Sequence, residues 1–266
     1  MARVFNQIFN VLWGIYALTA FLVLALTATA LMVVTPGLER RRRIARRAAR
    51  MIFTLWGVPL DIEGLDRLPA RTCIVVANHA SYLDGIILTA ALPARFAFVI
   101  KKEMRAVPFA GYLLHRIGSE FVERGNRHRA AMDARRMLRK AHDGDALAFF
   151  PEGTFSREPG LKPFRSGAFV AAARAGLPVV PIVIRGARDI LPDEQWLPRP
   201  GRLEVQLEDP VGPHLARDNA AARALSDAAR RRILASLDEP DLTLDEQRPV
   251  AAPAASPEVA TEAVTG

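Results

Sequence analysis

Thirty-five consecutive uncharged residues, Val4 to Leu38, constrain this chain more than any other feature. Their centre, Val11 to Val34, is almost wholly apolar, and about 20 such residues suffice to cross the hydrocarbon core of a bilayer. The run is long enough for one tilted span, or for a helical hairpin bent near Thr27–Thr29 or at Gly14. Arg40, Arg41, Arg42, Arg43, Arg46, Arg47 and Arg50 follow at once, opposed only by Glu39. Arginines beside a span stay on the cytoplasmic side and attract anionic headgroups at about 1 kcal/mol each. A cleaved leader is disfavoured, because the run is too long and leads into arginines rather than a small-residue cleavage site. The expectation is a membrane anchor over residues 1–50, seated in the cell inner membrane, with the rest of the chain on its cytoplasmic side. The next apolar stretch, Met51–Val58, suits either a helix lying among the headgroups or the first core helix of a globular domain.

Beyond the anchor, residues 51–238 are enough for one sizeable core. Strand-length apolar runs recur at 59–63, 72–77, 95–100, 117–122, 146–150, 179–184 and 202–207. Helical periods lie between several of them, notably Arg127 to His142, with Ala131, Ala134, Met137, Leu138 and Ala141 on one face. This alternation predicts an α/β fold, a mostly parallel or mixed sheet flanked by helices. From Glu239 to Gly266 the chain is Pro/Ala-rich and acidic, the composition of a disordered tail. Six acids against Arg248 leave that tail at −5, so residues 1–238 carry +13 of a whole-chain charge of +8. That basic charge suits anionic phospholipid and phosphate-bearing ligands. Beside a long apolar run it is not read as a nucleic-acid face. The lone Cys73 permits no internal disulfide and reads as a packed thiol.

Asn78-His79-Ala80-Ser81-Tyr82-Leu83-Asp84 lies between the strand-like run 72–77 and a helix-like run from Ile86 to Leu92. An imidazole titrates near neutral pH and can take a proton from an alcohol. A carboxylate on its other nitrogen sets the tautomer and stabilises the cation that forms. Positions i and i+5 lie about 140° apart on one helix, so His79 and Asp84 meet only if His79 precedes the helix. Two further segments accompany this one: Gly118-Ser119-Glu120-Phe121-Val122-Glu123-Arg124, and Phe149-Phe150-Pro151-Glu152-Gly153-Thr154-Phe155-Ser156-Arg157. Ser81 is expected to cap the helix, and Val180–Ile184 to be core strand. His115, His128, His142 and His214 read as ordinary surface or helix-end histidines. The sequence carries no HExxH, CxxC, GxGxxG, P-loop or GxSxG pattern.

In their order, NH-x-S-x-x-D, G-x-x-F-x-x-R, FPEGT and the run Val180–Ile184 resemble the lysophospholipid acyltransferases, bacterial 1-acylglycerol-3-phosphate acyltransferases above all. The blocks cover roughly residues 72–186, and Lys101-Lys102-Glu103-Met104 with Pro108 and Gly111 matches the stretch between the first two. Two departures stand out: Phe155 occupies a position that is often Arg in the family, with Arg157 two residues on, and Arg165 replaces the usual Lys of F-K-x-G-A.

The resemblance implies an O-acyltransferase that moves a fatty acyl group from acyl-CoA or acyl-carrier protein to the 2-hydroxyl of lysophosphatidate, without metal or cofactor. His79 is then the base of the H-x4-D motif and Asp84 its orienting carboxylate. Lys102, Arg124, Glu152, Gly153, Thr154 and Arg157 are expected to bind the acceptor. Glu152 would hold a glycerol hydroxyl or orient Arg124, since a carboxylate repels phosphate. Other acceptors, namely lyso-ornithine lipid, another lysophospholipid or glycerol-3-phosphate, stand within the same class. A non-catalytic lipid-binding protein and a lysophospholipid hydrolase stand outside it.

Overall fold

The computed structural model describes residues 2–123, 136–141 and 144–243. A seven-stranded mixed sheet runs through it in the order β1-β7-β6-β2-β5-β3-β4. The strands are β1 (Leu60–Glu63), β2 (Ile74–Ala77), β3 (Phe96–Lys101), β4 (Glu120–Val122), β5 (Ala146–Phe149), β6 (Val179–Arg185) and β7 (Leu203–Leu207). Only the β6–β7 pair is antiparallel. The neighbours β6, β2, β5, β3 and β4 all run the same way. All seven apolar runs therefore became strands. The run at 117–122 lost its first half, because Ile117 ends helix α4 (Ala110–Arg116) and Gly118 turns the chain at φ +70°. Residues 136–141 are helical, and the rest of the expected helix from Arg127 to His142 lies outside the described residues.

Helices cover both faces of the sheet, as strands buried on both sides require. On one face lie α2 (Leu38–Trp56), α3 (Asp84–Ala91) and the short α6 (Ala187–Ile190), whose Phe53, Ile87, Leu88 and Ile190 pack on Val75, Ala77, Val180 and Ile182. On the other lie α5 (Gly167–Ala175) and α7 (Asn219–Ser236), whose Phe169, Leu225 and Ile233 pack on Ile74, Val76 and Leu147. Cys73 is wholly buried in this core, and burial pushes its thiol up to about 11, as a packed rather than reactive thiol requires.

The apolar N-terminus forms one unbroken helix, α1 (Ala2–Val34). It bends at neither predicted place. Thr27 and Thr29 each donate their hydroxyl to the carbonyl four residues back, at 2.8 and 2.7 Å, which keeps a polar side chain inside a helix satisfied. Gly14 instead lets α1 press against Leu197 and Pro198, where a Cβ would meet Leu197 Cβ at 2.9 Å. The reversal comes at Pro36–Gly37, with Gly37 at φ +84°. Helix α2 then runs back along α1. Trp13 meets Trp56 edge-on with centroids 6.2 Å apart, Trp56 Nε1 donates to Ala17 O at 2.8 Å, and Met32 packs near Ala45. Helix α1 is long and apolar enough to cross a membrane. Its outward residues, among them Phe5, Phe9, Leu12, Leu22 and Leu26, are exposed. So large an uncovered apolar surface marks membrane association.

The arginine run and Met51–Trp56 are thus one helix, and its apolar end is core rather than headgroup-bound. Three of the arginines also turn away from lipid. Arg42, Arg46 and Arg50, four residues apart on one stripe, face the domain. Arg42 donates to Ile117 O at 2.9 Å and to Arg95 O at 3.1 Å, Arg46 to Ala91 O at 3.4 Å and Arg50 to Ala90 O at 2.8 Å. The last two cations stand at the carbonyl end of α3, where the helix dipole favours them. Arg40, Arg43 and Arg47 remain exposed.

The boundary expected at Glu239 falls inside a bonded segment. Gly160 N–H donates to Glu239 Oε2 at 2.7 Å, Leu161 N–H to Pro240 O at 2.8 Å, and Arg230 pairs with Asp241. The tail beyond residue 243 lies outside the described residues.

Arg42 and Arg43 predict opposite outcomes. Arg42→Met leaves two buried carbonyls unpaired and should cost about 2–4 kcal/mol of stability, with vesicle binding unchanged. Arg43→Met should leave the melting temperature in place and weaken binding to anionic vesicles at low salt. Thermal melts and vesicle co-sedimentation check both.

Candidate active site

Because β2, β3, β4 and β5 run parallel, their C-terminal ends share one edge of the sheet, the edge at which open α/β sheets place their sites. Asn78 and His79 leave β2 there, Lys102 follows β3, Glu123 follows β4, and Pro151 and Glu152 lie just beyond β5. Asn78 is buried and locks the β2 end to its neighbour. Its amide donates to Ile184 O at 2.9 Å and accepts from Ile184 N–H at 2.8 Å.

After Asn78 the chain turns sharply, and one carboxylate oxygen organises the turn. Asp84 Oδ2 accepts from His79 Nδ1 at 2.8 Å, from Ala80 N–H at 2.6 Å and from Ser81 N–H at 2.8 Å. Asp84 is wholly buried at the first turn of α3, where the two amides and the imidazole meet its carboxylate. An ionised Asp84 can only accept, so His79 carries its proton on Nδ1 and keeps Nε2 free as an acceptor. The pair meets as the spacing requires, with His79 before the helix. Ser81 differs from expectation. Its hydroxyl donates to Leu191 O at 2.7 Å and accepts from Leu83 N–H at 3.2 Å, while Asp84 takes the amides of Ala80 and Ser81 and α3 itself begins without a side-chain cap.

Glu152 is held between two backbone amides. Its Oε1 accepts from His79 N–H at 2.7 Å and its Oε2 from Lys162 N–H at 2.8 Å. Both oxygens thus bind backbone, and the side chain ties the histidine turn to the loop after β5. Burial raises the Glu152 carboxyl to about 7. The amides of Lys162 and His79 oppose that rise, and the charge of Asp84 adds to it.

The other expected residues are more dispersed. Lys102 pairs with Glu123, bridging the ends of β3 and β4. Gly153 turns the chain at φ +81° and donates to Phe150 O at 3.1 Å. Thr154 and Arg157 are exposed, and the Arg157 carbonyl accepts from Arg188 at 3.1 Å. Arg124 lies outside the described residues. The site therefore unites His79, Asp84 and Glu152 by direct bonds.

Three aromatic residues about His79 were not foreseen. Phe150 stacks on the imidazole with centroids 4.4 Å apart and planes at 20°. Phe155 meets it at 4.7 Å and 74°, and Tyr82 meets Phe155 at 4.7 Å and 89°. The signal was present in the aromatic residue at position 155 directly after FPEGT. Among the described residues, no group of three or more His, Cys, Asp or Glu is placed to hold a metal ion.

The chain resembles known proteins over the same region. A family model described as Acyltransferase matches residues 59–185. The 1-acyl-sn-glycerol-3-phosphate acyltransferase of Haemophilus influenzae is 30% identical over 170 residues, covering 63% of this chain and 70% of that one. The lyso-ornithine lipid O-acyltransferase of Pseudomonas aeruginosa is 33% identical over 156 residues, covering 58% of each. The crystal structure of the 1-acyl-sn-glycerophosphate acyltransferase PlsC from Thermotoga maritima shares the fold, with a TM-score of 0.71 over 86% of this chain and 97% of that one at 23% identity. The chain spans only about half to two thirds of the length of its plant and algal relatives.

Glu152 supplies a pH signature. Its folded pKa of about 7 lies above the ordinary 4.5, so the folded state holds a proton that the unfolded chain releases. Stability from this group is full below about 4.5 and is lost as pH rises to about 7. Glu152→Gln should flatten that part of the melting-temperature profile. A profile equally steep in the variant contradicts the assignment.

Proposed function

Because the chain belongs to the acyltransferase family, we propose that it transfers a fatty acyl group from acyl-CoA or acyl-carrier protein to the 2-hydroxyl of lysophosphatidate, yielding phosphatidate. The observation that carries this reading is the 2.8 Å contact between His79 Nδ1 and Asp84 Oδ2, which leaves Nε2 to act as base. The acceptor hydroxyl gives its proton to Nε2 as its oxygen attacks the thioester carbonyl. Asp84 steadies the imidazolium. As the tetrahedral adduct collapses, the C–S bond breaks, and the imidazolium returns its proton to the departing thiolate. The products are the new ester and a free thiol. The scheme needs no covalent acyl-enzyme: the Ser81 hydroxyl is engaged as hydrogen-bond donor to Leu191 O, and burial keeps Cys73 protonated. It asks for no resident metal or cofactor.

Lys102, Arg124 and Arg157 are proposed to pair with the acceptor phosphate, with Gly153 and Thr154 offering backbone and hydroxyl contacts beside it. The placement of Lys102 and the Glu152–Gly153–Thr154 turn beyond parallel strands supports this grouping. A second acceptor, lyso-ornithine lipid, is favoured by the 33% identity to the Pseudomonas aeruginosa enzyme. A panel of lyso-acceptors with labelled acyl-CoA decides between them by the relative kcat/KM.

Membrane seating belongs to the same proposal. The outer side of the α1–α2 hairpin faces phospholipid in the cell inner membrane, and the catalytic edge faces the cytoplasm, where both donors are found. The exposed arginines of α2 support that orientation.

His79→Ala should abolish ester formation with the fold intact, and Asp84→Asn should lose about 10³–10⁴ in kcat by presenting the wrong tautomer. A His79→Ala enzyme retaining more than about a tenth of the wild-type rate contradicts a general base. A reporter fused at the C-terminus should be active only in its cytoplasmic form, and periplasmic activity contradicts the orientation.

A further inference from the structure

Acyl transfer through a free histidine base has a built-in competitor. Water can replace the lipid hydroxyl, giving its proton to His79 Nε2 while its oxygen attacks the thioester, and the products are then fatty acid and free thiol. Nothing in the His79–Asp84 pair discriminates between the two acceptors. Discrimination must come from what surrounds the imidazole.

The surroundings are aromatic and graded from core to solvent. Phe150 is packed against the core cluster and covers one face of the His79 ring. Phe155 is half-buried and meets the ring at 4.7 Å. Tyr82, 62% exposed, meets Phe155 edge-on with centroids 4.7 Å apart. The His79 side chain is left 18% exposed. An amide at position 155 would hold its own hydration shell within van der Waals reach of the base. A phenyl ring holds none and presents an apolar surface on which a lipid chain can lie. The neighbouring cation, Arg157, is exposed two residues further on.

We infer that Phe155 is a specificity-determining residue that selects a lipid alcohol over water as the acyl acceptor, with Tyr82 as the outer part of the same dry wall. The inference rests on the acyl-transfer reading. The acceptor's chain completes the wall when it binds, so the base is shielded from bulk water at the moment the thioester is attacked.

The test is the product partition of the full-length enzyme in phosphatidylcholine vesicles, with labelled acyl-CoA and lysophosphatidate, scored as free fatty acid against ester. Phe155→Leu and Phe155→Asn place the same number of side-chain heavy atoms in the same branched arrangement and differ chiefly in hydration. The ratio of acid to ester should rise at least about tenfold in Phe155→Asn and stay within about threefold of wild type in Phe155→Leu, in keeping with the 10–200-fold reach of a single apolar contact. Tyr82→Ala should raise it less. Equal ratios in both Phe155 variants, or a parallel fall in both products, overturn the inference. If Phe155→Asn does not fold, Phe155→Ser read against Phe155→Ala gives the same contrast. A wild-type enzyme that forms no ester with any lyso-acceptor is a different result, because it removes the transfer reading itself and the inference with it.

Discussion

One carboxylate oxygen holds this molecule's active end together. Asp84 Oδ2 receives the imidazole N–H of His79 and the amides of Ala80 and Ser81. Three donors on one buried oxygen specify the turn, the start of α3 and the tautomer of the histidine together. The cost of burying that charge is offset only while all three bonds stand. The other oxygen of Asp84 is buried and has no hydrogen-bond partner among the described residues.

From that oxygen, direct contacts lead both ways. Helix α3 is eight residues long, with Asp84 at its first turn and the carbonyls of Ala90 and Ala91 at its last, held by Arg50 and Arg46 of α2. The α1–α2 hairpin and the Asp84 carboxylate are therefore joined by a single short helix. In the other direction, His79 N–H reaches Glu152, Glu152 reaches Lys162 N–H, and the carbonyls of Leu161 and Lys162 accept from Arg230, which pairs with Asp241. The segment after α7 thus braces the loop that carries Phe155. A local residue change far from His79 has a physical route to it.

What was legible in the sequence follows from what is local. The seven strands could be read because each is a short apolar run bounded by turns, continuously buried in β2, in β5 and in β6 as far as Ile184, and the histidine–aspartate pair because its spacing demands a turn before a helix. What was not legible depended on partners distant in sequence. Nothing within α2 distinguishes Arg42 from Arg43 until Ile117 O and Arg95 O are in place. Thr27 and Gly14 look like breakers until back-bonding and the approach of Leu197 explain them. The bonds of Glu152 to the backbone are hidden because its two amide donors, His79 and Lys162, lie 73 and 10 residues away. Glu239–Thr243 shares the composition of the tail, yet its acids pair with Arg188 and Arg230. In each case a tertiary contact overrode a local pattern.

The central claim is that Asp84 fixes the proton of His79 on Nδ1 and leaves Nε2 bare. Nitrogen NMR of ¹⁵N-histidine-labelled protein in mildly alkaline buffer reads this directly, with the His79 signals assigned by their loss in His79→Gln. The account predicts a protonated, pyrrole-like Nδ1 and an unprotonated, pyridine-like Nε2 for His79. A neutral His79 with its proton on Nε2, or the two tautomers mixed as in free imidazole, would contradict it.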